Sequence, residues 1–205
     1  MRIGTWYKSG LISAILCLSA GYGEAAGPAA APFMSTAGRT SQPIGHFEFC
    51  QVHPRQCAVR TGAAKRVRLT PELWNQLVGI NAAINGAIAP ATDREIFGRE
   101  EVWSYPGQRG DCEDVALEKQ RELIGDGWPV SALLMTVVRK RNGEGHAVLT
   151  VATDRGDLVL DNLDPRVLLW SETAYRFVKR QSEFDSGQWT AIDDVRTSSV
   201  GSLER

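Results

Sequence analysis

The chain has 205 residues, a formal net charge of −1 and 43% hydrophobic residues. That length suits one domain with an export segment, and the hydrophobic share is enough for one sizeable core. The near-neutral balance gives no reason to expect nucleic acid or an acidic membrane surface as partner, and the 23% charged share argues against disorder.

Arg2 and Lys8 form a basic n-region, and Leu11 to Ala20 is an apolar run of about ten residues. Gly23-Glu24-Ala25-Ala26 then supplies small residues for cleavage after Ala25 or Ala26. The run is short for a bilayer span. Residues 1–26 are therefore expected to be a cleaved signal peptide, with an N-terminal anchor as the alternative. The mature chain is expected to be periplasmic or secreted, without stable membrane insertion. Cys17 falls in the discarded peptide, because Leu16 is too bulky to precede a lipid-modified cysteine. Residues 27–42, rich in Ala, Pro, Gly, Ser and Thr, read as a flexible lead-in. The folded domain is expected over 43–195, with a C-terminal tail over 196–205.

Three cysteines then remain in an oxidising compartment. Cys50 and Cys57 flank Pro54 in FCQVHPRQC, where a short-loop disulfide is the natural pairing. His46, Cys50, His53 and Cys57 also offer the two-histidine, two-cysteine set of a zinc site. On either reading Cys112 is the thiol left over.

Thr70-Pro71-Glu72 is a helix start, with Thr70 as N-cap and Pro71 at the first helical position. Leu73, Leu77, Ile80, Ile84 and Ile88 follow at spacings of three and four, which is one buried stripe, and Pro90 closes it. Gly110 precedes a second helix over Asp111 to Ile124, in which Cys112, Val115, Ala116, Lys119 and Leu123 share a face. Val130 to Arg139, His146 to Ala152 and Leu158 to Asp161 read as strands, separated by turns at Asn142-Gly143 and at Asp154 to Gly156. Tyr175 to Lys179 and Trp189 to Ile192 are later strands. Helices first and strands afterwards predict an α+β domain with an antiparallel sheet.

A cysteine at a helix start faces unpaired backbone N–H groups, which favour the nucleophilic thiolate and can also hold an oxyanion. Asp111, Glu113 and Asp114 oppose this, because negative charge raises a thiol's pKa. The bland alternative for Cys112 is a small apolar residue on the inner face of the helix. His146 opens one strand and Asp161 closes the next, fifteen positions on (161 − 146). Antiparallel strands joined by a tight turn bring those two ends together, so the carboxylate can fix the imidazole's tautomer and stabilise its protonated form. Alone, His146 reads as a structural histidine and Asp161 as a turn residue.

Gly110-Asp111-Cys112-Glu113-Asp114, Gly145-His146-Ala147-Val148-Leu149 and Leu160-Asp161-Asn162 together resemble the bacterial transglutaminase-like cysteine proteinases, which include the LapG-type periplasmic proteases. The order Cys, His, Asp and the intervals of 34 (146 − 112) and 15 follow that pattern. Asn81, Asn85, Trp103-Ser104-Tyr105-Pro106, Tyr175, Phe177, Ser182 and Trp189 extend the resemblance over about Pro43 to Asp194. The resemblance implies a papain-like or transglutaminase-like core and a Cys112–His146–Asp161 triad. It also implies a protein or peptide substrate such as a surface adhesin, and calcium held through Asp111 and Glu113. Calcium takes hard oxygen ligands and would screen the acidic charge around the thiol. The same acids also suit the positive end of the helix dipole without any ion. The Cys50 and Cys57 pair departs from the LapG-type pattern.

The chemistry expected is a peptidase or amidase reaction through an acyl-enzyme. The alternatives are acyl transfer to an amine by the same three residues, and a non-catalytic binding module of the same fold.

Overall fold

The computed structural model describes residues 31–197 together with Met1. The expected signal peptide rests on residues 2–26, which lie outside the described residues, as do 27–30 and 198–205.

Among the described residues, five α-helices and nine strands follow in chain order. Strand β1 is Thr36–Thr40, and helices α1 (Ile44–Val52), α2 (Pro54–Cys57) and α3 (Pro71–Ala87) come next. Strand β2 (Ala89–Pro90), helix α4 (Asp93–Phe97), strand β3 (Arg109–Gly110) and helix α5 (Cys112–Gly125) complete the first half. Strands β4 (Leu133–Arg139), β5 (Gly145–Thr153), β6 (Gly156–Leu160), β7 (Leu168–Leu169), β8 (Arg176–Gln181) and β9 (Trp189–Ile192) form the second. One seven-stranded sheet runs β1-β9-β8-β4-β5-β6-β7, and every pairing in it is antiparallel. The fold is α+β, as helices followed by strands predict.

Thr70 caps α3 by accepting the Leu73 N–H, and Pro71 stands at its first turn. The helix stops at Ala87, short of Pro90, because Ala89-Pro90 pairs in parallel with Arg109-Gly110. That short ladder brings the chain beside the start of α5. The run expected as a strand from Val130 begins with a 3-10 turn over Val130–Ala132.

Period-two alternation in the central strands divides the core between two faces. Leu133, Met135, Leu149, Val151, Leu158 and Leu160 pack with Leu77, Ala116, Leu117 and Leu123 of α3 and α5. Val138, Val148, Val159 and Phe177 pack on the other face with Met34 and Trp170. Burial of these aliphatic side chains is the main stabilising term, about 1.5–3 kcal/mol for each one fully removed from water.

Both expected boundaries are corrected. Residues 36–40 are not a lead-in: they form the edge strand of the sheet, with Arg39 opposite Thr190 and Thr40 opposite Trp189. Contacts with the domain reach earlier still, since Ala31 O accepts the Trp170 indole N–H and Met34 is buried. At the other end Arg196 is not tail. Its guanidinium lies 4.2 Å from the Trp170 ring, donates to Trp170 O at 2.9 Å and pairs with Asp194 at 2.7 Å.

Candidate active site

Helix α5 begins beside the β3 ladder. Gly110 lets the chain pass closely there, since a Cβ would crowd the Asp114 and Pro106 side chains at 3.0–3.1 Å. Asp114, on the first turn, accepts the Ser104 N–H at 2.8 Å and ties the Trp103-Ser104-Tyr105-Pro106 segment to the helix start. Cys112 is the first residue of the helix, as expected, and its sulfur accepts the Ala147 N–H of β5 at 3.4 Å. The thiol therefore lies against the strand end that carries His146.

His146 and Asp161 meet as the strand register requires. Leu149 pairs with Leu160, so Asp161 leaves β6 diagonally across from His146. The His146 Nε2–H donates to Asp161 Oδ1 at 2.8 Å, with both side chains buried. Asp161 also accepts the Leu163 N–H at 3.0 Å and the Tyr175 hydroxyl at 2.5 Å. Asn85 of α3 donates to the Asp161 carbonyl at 2.8 Å, and Asn81 to Pro165 O at 3.1 Å, which fixes the loop after β6. Burial alone would raise the Asp161 carboxyl, but the bonds from His146, Leu163 and Tyr175 outweigh it and hold it below its usual range.

The Cys112 thiol is set differently. Burial pushes its pKa well up, the Glu113 carboxylate pushes it further, and the thiol donates to Glu113 Oε2 at 3.0 Å. Glu113 is itself pushed up to about 8, by burial and then by Asp111. Asp111 is raised to about 6, by burial and then by Asp93. The structure thus adds Asp93 of α4 to the two acids expected from the sequence. One carboxylate oxygen from each of Asp93, Asp111 and Glu113 lies within 4.8 Å of the others.

These residues fit a hard cation. Asp93 Oδ1 and Asp111 Oδ1 are buried without a hydrogen-bond partner, and burying carboxylate oxygens unpaired is costly. An oxygen-ligated divalent ion would satisfy both and neutralise the mutual repulsion. Asp93 enters through local order: Thr92 and Glu95 form a capping box at the start of α4. The Thr92-x-x-Glu95 signature was present in the sequence, yet nothing local tied it to Asp111.

Two cavities meet at the nucleophile. One of about 370 Å³ is walled by Ile44, Trp103, Val137 and Lys179, the other of about 390 Å³ by Ala91, Glu95, Lys140 and Leu163. Cys112, Gly145 and His146 line both, so an extended chain can cross the thiol from one side to the other. Gly45 of α1 packs so tightly on Trp103 that a Cβ there would fall 2.2 Å from its ring.

Cys50 and Cys57 form a disulfide joining α1 to α2, and Cys112 is the free cysteine among the described residues. His53, offered as a zinc ligand by the spacing, instead packs on Phe49 and Tyr105, with ring centroids 4.7 and 5.2 Å away.

The family model of the bacterial transglutaminase-like cysteine proteinases matches residues 36–197. The chain belongs to this family. Among solved structures, calcium-bound Legionella pneumophila LapG aligns with 27% identity and a TM-score of 0.47, over 55% of this chain and 66% of that one. The match thus spans slightly less than two thirds of that protein. EGTA-treated LapG from the same organism aligns with 27% identity and a TM-score of 0.48, over 60% and 72%. A third LapG structure aligns with 25% identity and a TM-score of 0.50, over 65% and 75%. No curated protein is significantly similar in sequence. As a transglutaminase-like cysteine proteinase the chain has the mixed helix and antiparallel-sheet architecture found here. Among its described residues no helix is long and apolar enough to cross a membrane.

Proposed function

We propose that this proteinase hydrolyses a peptide bond of an extracytoplasmic protein through a Cys112 acyl-enzyme. The observation that carries the reading is the buried His146–Asp161 hydrogen bond at the same strand end where Ala147 N–H holds the Cys112 sulfur. Asp161 occupies Nε2 of the ring, which leaves Nδ1 to take the thiol proton. The thiolate adds to the substrate carbonyl. Unpaired N–H groups at the start of α5 donate hydrogen bonds to the resulting oxyanion. His146 passes its proton to the leaving amine, then takes one from water as the water attacks the thioester, and the acid product leaves with the thiol restored.

Asp93, Asp111 and Glu113 are the residues that would hold calcium. The ion would supply positive charge beside the thiol and a partner for the Glu113 carboxylate that now accepts the thiol proton. The signal peptide expected over residues 1–26 supports a periplasmic or exported substrate, for which a surface adhesin is the proposed class.

The test compares the exported proteome of cells carrying the wild-type chain with that of cells carrying Cys112→Ala, mapping protein N-termini. One protein acquiring a new N-terminus in the wild type alone supports the reading. Identical termini in both strains, with the wild-type chain folded and exported, oppose it. A labelled primary amine added with the purified enzyme and its substrate separates hydrolysis from acyl transfer.

A further inference from the structure

Strands β5, β4 and β8 end side by side at the cleft, and their register lays two rows of residues across the face against which α5 packs. Ala147, Val137 and Lys179 form the inner row. Ala147 N–H holds the Cys112 sulfur, and Val137 and Lys179 wall the cavity of about 370 Å³. Gly145, Arg139 and Arg176 form the outer row, at the strand ends. Strict alternation would put Arg176 and Lys179, three positions apart, on opposite faces of β8. A bulge prevents this. Val137 pairs with Lys179, Val138 with Phe177 and Arg139 with Arg176, which leaves Val178 out of the register. Phe177 turns into the core of the far face, and both cations share the face of Val137. Bulges beside active sites re-aim side chains in this way.

The charge gathered there is not balanced. Arg139 and Arg176 are exposed and stand directly opposite one another, an arrangement that costs stability in a sheet. Gly143 O accepts from the Arg139 guanidinium at 2.8 Å, and Ser41 O from the Lys179 ammonium at 2.8 Å. Carbonyls thus steady two of the cations and leave their charge in place. Among the described residues no carboxylate pairs with any of the three, and Glu144 on the neighbouring turn is taken by Lys140. Glu101 and Glu113 line the same cavity as Lys179. Those acids repel a polyanion or an anionic lipid surface, whereas a single carboxylate lying on the sheet side meets the cations first.

We propose that Arg139, Arg176 and Lys179 form a subsite for an acidic residue of the protein substrate, about three residues from the bond that is cut. The proposal rests on the reading of Cys112 as a peptidase nucleophile. Two strand spacings of about 4.8 Å separate Ala147, beside the sulfur, from β8, and an extended substrate covers that distance in about three residues at about 3.3 Å each. The arginines offer the planar forked donors that match a carboxylate, and the lysine adds a point charge at the cavity wall. Gly145 puts no side chain in the path between the thiol and the outer row, and a Cβ there would meet nothing.

The test labels Cys112 in the purified chain with two pairs of affinity probes. One pair is a bromoacetylated alanyl-alanyl-glutamyl amide and its glutaminyl counterpart. The other runs the opposite way: an acetyl-glutamyl-alanyl-alanyl chloromethyl ketone and its glutaminyl counterpart. Each places the tested residue third from the carbon that the sulfur attacks, and mass spectrometry reads the rate at Cys112. The expected result is labelling about fivefold faster or more by the glutamyl member of one pair, with the ratio falling towards one at about 1 M salt, where screening shortens to about 3 Å. The ratio should also fall towards one in the double variant Arg139→Ala, Arg176→Ala and drop in Arg176→Ala alone, with melting checked. It should persist in Arg155→Ala, on the turn at the other end of β5. Ratios near one in both pairs overturn the proposal, as does a glutamyl preference that survives high salt or the double variant. A folded chain in which no probe labels Cys112 overturns it too. The labelling needs no hydrolysis, so the two readings fail separately. New N-termini in the exported proteome without a glutamyl preference remove the subsite and leave the peptidase; a salt-sensitive glutamyl preference in a chain that cuts nothing supports the subsite and removes the peptidase.

Discussion

His146 and Asp161 share a 2.8 Å hydrogen bond between two side chains that water does not reach. The bond ties the imidazole's tautomer to a carboxylate that has no solvent to compete for it. If the three residues act as a unit, Cys112→Ala abolishes covalent turnover, and His146→Ala is nearly as damaging. Asp161→Asn keeps the shape but cannot balance the imidazolium, and should cost about 10²-fold or more in kcat. A His146→Ala, Asp161→Asn double variant should be little worse than His146→Ala alone. Turnover of the cleaved protein, with folding checked by melting, measures all of these. Wild-type rates in a folded His146→Ala variant would refute the assignment.

Tyr175 should matter through Asp161 rather than through substrate. Its hydroxyl donates to the second carboxylate oxygen and helps hold that carboxyl low. Tyr175→Phe removes one hydrogen bond to a charged group, a loss of about 1.5–3 kcal/mol. The expected result is at least tenfold lower kcat with little change in KM, and an acid limb of the pH–rate profile displaced to higher pH. A lower rate with an unmoved acid limb would leave Tyr175 a packing residue only.

Calcium should stabilise the wild type and lose its grip when the acids are neutralised. An ion bound by the folded state alone adds about 2.7 kcal/mol at a hundredfold excess over its dissociation constant. A chelator should therefore lower the melting temperature and the activity together. Asp93→Asn with Asp111→Asn should abolish the response of melting to calcium, with the variant folded. A wild type whose melting ignores both calcium and chelator would remove the ion from the account.

Lys119 gives a pH dependence with a definite sign. It is fully buried on α5, and burial pushes its pKa down from 10.5 to about 7, with Asp161 pulling the other way. The unfolded chain then holds a proton that the folded chain lacks between pH 7 and 10.5, so this group's contribution rises with pH across that window and is lost as pH falls through 7. The ceiling is about 5 kcal/mol at 1.36 kcal/mol per unit. Lys119→Met should be more stable than wild type at pH 7, and the gap should narrow towards pH 10. Urea denaturation at both pH values measures it, and a gap that does not change with pH would contradict the burial of an uncharged amine.

Several features were legible in the sequence because their causes are local. Thr70-Pro71 starts α3 through a cap and a fixed φ, and runs rich in Val, Leu and Thr mark β4, β5 and β6. The turn at Asp154 to Gly156 fixes the register that brings His146 to Asp161. The residues 50 and 57 can reach one another because a short loop closes at little entropic cost. Tertiary structure alone decided the rest. Thr36–Thr40 is small and polar, so its composition reads as a linker; it becomes a strand through backbone bonds to β9, which are blind to side-chain identity. Asp93 is the first residue of α4, just after its Thr92 cap, and its spare oxygen meets Asp111 only when α4 packs beside the start of α5. His46, four residues before Cys50, carries no sign in the sequence of the Trp189 and Gln181 side chains that surround its ring. Those partners come from strands more than 130 positions away, and only the closing of the sheet sets them around one ring.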